Sequence, residues 1–347
     1  MNQGDYTKTQ QRDVESIGEL RNGFKSALIS GKPENLAPLI TSDYVYYQPN
    51  YEGPCTYGKQ PHLLYVRSLP KVLDVEIKVV DFVLMDRWAF ETGEELYQEC
   101  DGNGGTIEQV ARFARLSYRN DAGVWQMART CRGTARDLRS FRRPPRAEFV
   151  ANSGKGHWQP MPIDIECLHE TKILLAADKE GLRRLMRDGD PASVTLAQSV
   201  KMDLDHVFVS TQGNYTWGEY ENYQRNVNQR GYQYDEIYKY DEDARVMVPR
   251  SWGYSMGKGT GIAVSLDTGV RRSGLQFYFY LWQRIDRDQD PWPWKIHSSF
   301  SCDVLTPVST RSDEYPGKST WAKKVLKEKW ANQEGPSENP VRQYVKS

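Results

Sequence analysis

In the run DLDHVFVS, His206 stands two residues from Leu204 on one side and two from Phe208 on the other. If the run is a strand, the three share one face. A half-buried histidine titrates near neutrality and serves as acid or base; the same position also suits a core histidine satisfied by one hydrogen bond. Glu236, in YQYDEIYKY, would share a strand face with Tyr232, Tyr234, Tyr238 and Tyr240. A carboxylate among tyrosines is either held by their hydroxyls or raised in pKa by burial; the other reading is a glutamate on an exposed, tyrosine-rich edge. Tyr234 or Tyr238 would donate hydrogen bonds to a developing oxyanion.

Weaker candidates for holding a substrate are Tyr46, Tyr278, His297, Arg112 and Arg129, the two arginines suiting an anionic or phenolic group. His297 shares a strand face with Lys295 and Ser299, opposite Trp294 and Ile296, so it faces either a pocket or solvent. Arg115 and Arg284 stand at matching places in two halves of the chain, which favours a shared structural ion pair over catalysis. His62, His157 and His169 lie in polar or helical surroundings and are assigned nothing.

Other chemistries find no support. There is no G-x-S-x-G elbow, P-loop or HExxH, and the glycines of GYSMGKGTG do not make GxGxxG. The five cysteines are scattered without zinc-like spacing, so reduced, buried thiols and no metal are expected. The 46 basic and 46 acidic residues cancel, which leaves no global field for nucleic acid or an anionic membrane. No apolar run is long enough for a membrane helix, and the first residues lack a signal-peptide core. A soluble cytoplasmic protein is expected.

These side chains must be positioned by elements that occur twice. GPCTYG at 53–58 has a near-double in GNYTWG at 213–218, and WAFETG at 88–93 has one in WGYSMG at 252–257. Arg115 lies ten residues before Trp125, and Arg284 ten before Trp294. Three matches in one order imply a duplicated domain, and 347 residues are enough for two. The first copy opens with a helix that Asp13 can cap, its apolar face Val14, Ile17, Leu20, Phe24 and Leu28, closed by Gly31. The short helix PENLAPLI follows. In the second copy the counterparts are IECLHETKILLAAD and then GLRRLM. Strands come next: VLDVEIKVVDF buries Leu73, Val75, Ile77 and Val79 on one face, and QVARFARLSY with VWQMARTC, or LQFYFYLWQRI with WPWKIHSSFSC, ends each copy. The layout is α+β, with a curved antiparallel sheet wrapping a helix. Domains are expected at 12–133 and 161–306, joined by an Arg/Pro/Gly-rich linker at 134–160. A tail at 307–347 would carry a short docking helix around Trp321, Val325 and Trp330. The six arginines from Arg132 to Arg146 either grip a phosphate or acidic partner or belong to a solvated connection.

The order of elements and the phrase SDYVYYQPNYEGPCTYGKQPHLLYV resemble the cone-shaped superfamily of nuclear transport factor 2 (NTF2), ketosteroid isomerase and the SnoaL-like polyketide cyclases. The matching residues are Asp43, Gln48, Pro49, Gly53 and Gly58, and in the second copy Asp203, Phe208, Val209, Gly213 and Gly218. The resemblance implies two tandem cone-shaped α+β barrels, no cofactor, and proton transfer on a flat, apolar substrate. The carboxylate base of ketosteroid isomerase would fall at Gln48 and at Phe208, and neither residue can take a proton. The leading expectation is a cofactor-independent lyase, isomerase or cyclase acting on a small aromatic or polyketide-like molecule. In it His206 is the acid–base group, Glu236 assists, and the first domain packs against the second; a homo-oligomer stays open. The alternative is a non-catalytic binding or scaffolding protein built on the same two domains.

Overall fold

The structure, a computed structural model, describes residues 7–48, 55–100, 104–134, 153–188, 202–210, 216–217, 232–265, 271–285 and 293–307. At 134, 180–188, 202–210, 216–217, 232–240, 260–265, 271–276 and 303–307 it describes the backbone alone. The chain forms two compact units, the bulk of the first being residues 1–162 and the second beginning at Ile163.

In the first unit, helix α1 spans Lys8–Ser30. Thr7, not Asp13, starts it: the Thr7 hydroxyl accepts from the Gln10 backbone and the Gln10 side chain from that of Thr7, a reciprocal capping box. Asp13 is instead buried one turn in. Ile17, Leu20, Phe24 and Leu28 form the buried stripe, and Gly31 closes the helix at φ 64°, where a side chain would be strained. A short helix, α2 (Pro33–Leu36), leads into β1 (Ile40–Tyr47), β2 (Cys55–Tyr57) and helix α3 (Lys59–Arg67). The long strands β3 (Val72–Met85), β4 (Trp88–Cys100), β5 (Thr106–Arg119) and β6 (Trp125–Thr134) complete the sheet. Its order is β2-β1-β6-β5-β4-β3, with β1 parallel to β6 and the other pairs antiparallel. Helices α1 and α3 cover the face that carries Tyr44, Tyr46, Ala89, Tyr97, Ala111 and Met127.

Leu73 departs from the expected alternation. The β3–β4 register slips between Val72 and Asp74, and the extra residue, Leu73, is 39% exposed while Val75 is fully buried.

The opposite face of the sheet is strapped by residues 153–162. Ser153 bridges Thr56 in parallel, the Trp158 indole donates to the Asp43 carbonyl at 2.9 Å, and the Met161 amide donates to Asp43 Oδ2 at 2.9 Å. Gly154 turns at φ 83°, and a Cβ there would stand 2.4 Å from the Tyr57 carbonyl oxygen.

In the second unit, helix α4 (Ile165–Asp188) is capped by Asp164, which accepts from the Cys167 amide at 2.8 Å. It runs unbroken through GLRRLM, where two helices were expected. Strands β7 (Met202–Ser210), β8 (Thr216–Trp217), β9 (Tyr232–Met247), β10 (Trp252–Ser265), β11 (Arg271–Arg284) and β12 (Trp294–Pro307) form a sheet of order β8-β7-β12-β11-β10-β9. That order repeats the first sheet strand for strand. The docking helix expected near Trp321–Trp330 and most of the expected linker lie outside the described residues.

Candidate functional site

The helix-covered face of the first sheet holds its chemistry in rows. Strand alternation puts Glu91, Gly93, Glu95 and Tyr97 of β4 in one row, beside Phe113 and Arg115 of β5 and Thr130 and Arg132 of β6. Across these rows runs a chain of five charges. Arg132 Nε donates to Glu95 Oε2 at 2.8 Å, and Arg115 Nη2 to Glu95 Oε1 at 2.7 Å. Arg115 Nη1 donates to Glu91 Oε1 at 3.0 Å, and Arg21 of α1 pairs with Glu91 Oε2 at 3.1 Å. The Arg115 guanidinium also lies 4.6 Å from the Phe24 ring centre and 4.5 Å from that of Phe113. Burial pushes the Glu95 carboxyl upward in pKa, but Arg115, Arg132 and the Tyr97 hydroxyl outweigh it, and the group lies below its usual range.

At the Arg132 end the neighbours are hydroxyls. The Tyr97 hydroxyl donates to Glu95 Oε2 at 2.8 Å, and the Arg132 guanidinium lies over the Tyr97 ring at 4.3 Å. Tyr46 and Tyr65 both donate to Gln48 Oε1, Tyr65 at 2.8 Å. Burial pushes the Tyr46 hydroxyl up to about 12 against the pull of Arg132, so it is a donor at neutral pH. His62 of α3 packs on Tyr44 and Tyr46 at 4.8 and 4.6 Å, with Nδ1 3.1 Å from Thr56 Oγ1. Burial lowers its pKa to about 3, which keeps the ring neutral. This end of the cone therefore carries three hydroxyls, their protons given to Gln48 and Glu95, beside a guanidinium. Neither Tyr46 nor His62 changes charge near neutrality, and Glu95 stays ionised.

Of the residues expected from sequence, Tyr46 belongs to this cluster. Arg112 and Arg129 stand on the opposite face of the sheet. Arg112 pairs with Glu94 at 3.2 Å, and buried Arg129 pairs with Asp43 at 3.0 Å beneath Trp158. In the second unit the Tyr278 hydroxyl donates to Asp241 at 2.7 Å, and its ring packs on Tyr280. Burial and the Asp241 carboxylate raise the pKa of Tyr278. His297 packs edge-on against Trp252 at 5.2 Å. His206 lies on β7, next to Val207, which pairs with Trp217. Glu236 stands opposite Ile262, Tyr234 opposite Ala263 and Tyr238 opposite Thr260. The side chains of His206, Tyr234, Glu236 and Tyr238 lie outside the described residues. The β9 register slips between Tyr234 and Glu236, so simple alternation does not run through that stretch.

The pairing also corrects two correspondences between the copies. Thr56 faces Tyr46 and Thr216 faces Phe208, so Phe208 answers to Tyr46 and not to Gln48. Trp88 pairs with Tyr118 and Trp252 with Gln283, so the partner of Arg284 is the next residue after Tyr118, Arg119, and not Arg115. Arg119 binds Asp13 at 2.8 Å and Arg284 binds Glu170 at 2.9 Å, the shared structural ion pair. By the same register Arg115 corresponds to Tyr280, which faces Ser255 as Arg115 faces Glu91. The charge chain thus belongs to the first unit. Sequence reasoning missed Glu91, Glu95 and Tyr97, whose even-numbered spacing along WAFETGEELYQE, which puts them on one strand face, was the available signal. Arg132 was grouped with the linker arginines.

With β1 set parallel beside β6 and helices on the concave side of a four-stranded antiparallel run, the fold is an α+β cone of the NTF2-like kind. Solved structures similar to the chain include a ketosteroid isomerase-like protein from Erwinia carotovora atroseptica SCRI1043, 19% identical, covering 36% of this chain and 97% of its own, with a TM-score of 0.33. An NTF2-like protein with a cystatin-like fold from Novosphingobium aromaticivorans is 17% identical and covers 39% of this chain and 94% of its own, with a TM-score of 0.33. No family model and no curated relative matches the chain. Among the described residues no helix is long and apolar enough to cross a membrane, and no cluster of metal-ligating side chains occurs.

Proposed function

We propose that the chain is a small-molecule-binding protein built on NTF2-like cones, and that its first cone holds a ligand without taking a proton from it. The observation that carries this reading is the double ion pair on Glu95. A carboxylate tied to two guanidiniums is a poor base, because protonating it breaks both pairs. The Arg132 guanidinium is suited to grip an oxygen of a flat ligand, and the Tyr46 and Tyr65 hydroxyls can turn from the Gln48 oxygen they share to donate to it. Equilibrium binding of aromatic and polyketide-like compounds to the full chain, read by tyrosine and tryptophan fluorescence, tests it. Tyr46→Phe is expected to weaken binding by about 3- to 10-fold, the worth of one hydrogen bond, with the compound recovered unchanged. Recovery of an isomerised or dehydrated product, lost in Glu95→Gln, overturns the reading.

A second reading places cofactor-independent proton transfer in the second cone, as a lyase, isomerase or cyclase. His206 would be the acid–base group, Glu236 its helper, and Tyr234 or Tyr238 the donor to an oxyanion. The observation in its favour is the Phe208–Thr216 pairing, which gives His206 the strand position of Tyr44. Under this reading His206→Asn abolishes turnover and spares ligand affinity; turnover that survives the substitution removes it.

A further inference from the structure

We infer that the first cone selects an organic monoanion, a carboxylate or a phenolate, and that Arg132 meets its charge; this rests on the reading of that cone as a ligand-binding site. The charge chain alternates Arg132, Glu95, Arg115, Glu91, Arg21, so three guanidiniums face two carboxylates and both ends are positive. The two ends differ. The Arg21 side chain is 28% exposed, and water screens its share of the surplus. The Arg132 side chain is 11% exposed, and the carboxylate it touches, Glu95, is fully buried and shared with Arg115. An incompletely balanced guanidinium in such a place attracts a further anion strongly, because little solvent screens it.

The groups around Arg132 suit that anion. Its Nε is committed to Glu95, and the Tyr46 hydroxyl lies near enough to feel its charge. The outer fork of the guanidinium is the planar pair of donors that a carboxylate takes bidentately. Tyr65 lies close enough to Arg132 to interact with its charge, and Tyr65 shares Gln48 Oε1 with Tyr46. Gln48 matters by what it is not. A glutamate there would add a negative charge behind the Tyr46 and Tyr65 hydroxyls, whereas the amide adds none. The Tyr97 ring beneath the guanidinium fixes its plane, so that the outer fork is held in one direction.

The test uses matched probes on the full chain at pH 7: benzoate against benzamide, and trans-cinnamate against cinnamamide. Wild type is expected to bind each acid at least about tenfold tighter than its amide, the factor of a charge-assisted hydrogen bond. Arg132→Gln should collapse that ratio to about one. Arg132→Lys, which keeps the charge and loses the fork, should retain a reduced preference and covers the case in which the glutamine variant does not fold. Tyr46→Phe should weaken acid and amide alike. Equal binding of acid and amide by wild type overturns the inference while leaving the binding reading intact, as does a preference that survives Arg132→Gln. Binding of neither pair by wild type overturns the binding reading, and the inference with it.

Discussion

Arg115 reaches Glu95 across an intervening pair of residues. The register sets Arg115 opposite Glu91 and Glu95 opposite Ala111, with Phe113 facing Gly93 between them. Yet Arg115 Nη2 lies 2.7 Å from Glu95 Oε1, with the guanidinium against the Phe113 ring. Removing this arginine takes one of two guanidiniums from each buried carboxylate, leaving Glu95 with Arg132 and Glu91 with Arg21. Arg115→Met is expected to cost about 3–5 kcal/mol in urea unfolding, the range for breaking a buried ion pair from one side. Arg115→Lys, which keeps a positive charge between the two carboxylates but not the fork that reaches both, should recover part of that loss. A single variant as stable as wild type would show that the pairs contribute nothing net.

Gly93 makes the crossing feasible. A Cβ there would stand 2.2 Å from the Lys78 carbonyl oxygen and 3.0 Å from Phe113 Cζ, so β3 and the ring would both have to move. Gly93→Ala should destabilise by roughly 1–3 kcal/mol, the usual cost of overpacking, and should disturb the charge chain. The measurement is the urea midpoint together with the near-ultraviolet dichroism of the aromatic cluster.

His62 gives a pH signature. Its pKa falls from 6.5 unfolded to about 3 folded because burial disfavours the imidazolium. The unfolded chain therefore binds the extra proton between those values, and the stability from the neutral ring, complete above pH 6.5, drains as pH falls. The expected slope approaches about 1.4 kcal/mol per pH unit well below pH 6.5. Comparing urea midpoints of wild type and His62→Gln from pH 7 to 5 isolates it, because carboxylates with lowered pKa values titrate below that window. Parallel curves for the two proteins would rule out the buried neutral histidine.

Each unit has its own brace of the same kind. Trp125 Nε1 donates to Asp13 at 3.1 Å and Trp294 Nε1 to Glu170 at 3.3 Å, each carboxylate also holding its arginine. Trp125→Phe and Trp294→Phe should each cost about 1.5–3 kcal/mol, the worth of a hydrogen bond to a charged acceptor. Thermal melts that respond to one substitution and not the other would mean the braces are not equivalent.

What was legible in the sequence followed from periodicity. Ile17, Leu20, Phe24 and Leu28 gave the first helix its face, and the paired phrases around Thr56 and Thr216 marked matching segments, read as a loop and found as a short strand in each sheet. The start of α1 was misread because Asp13 looked like a cap, whereas the Thr7 and Gln10 side chains complete one. Correspondences failed where strands slip or spacing coincides: Arg115 and Arg284 both precede a tryptophan by ten residues, yet the backbone matches Arg284 to Arg119. Glu91 and Glu95 were hidden because charged residues in a strand read as solvent-facing. Only the partner arginines on β5, β6 and α1 make their burial tolerable, and those partners are distant in sequence.

The repetition of one strand order on one polypeptide has an evolutionary side. In a homodimer every substitution is inherited by both subunits, so an interior can change only if its twin tolerates the same change. Here the position of Arg115 in one cone is held by Tyr280 in the other, and that of Glu91 by Ser255. Duplication within a gene releases each interior to drift on its own, so that one can be tuned for a cargo while the other is tuned for something else. Two sheets of one strand order on one chain are under no such constraint, and their rows of side chains differ.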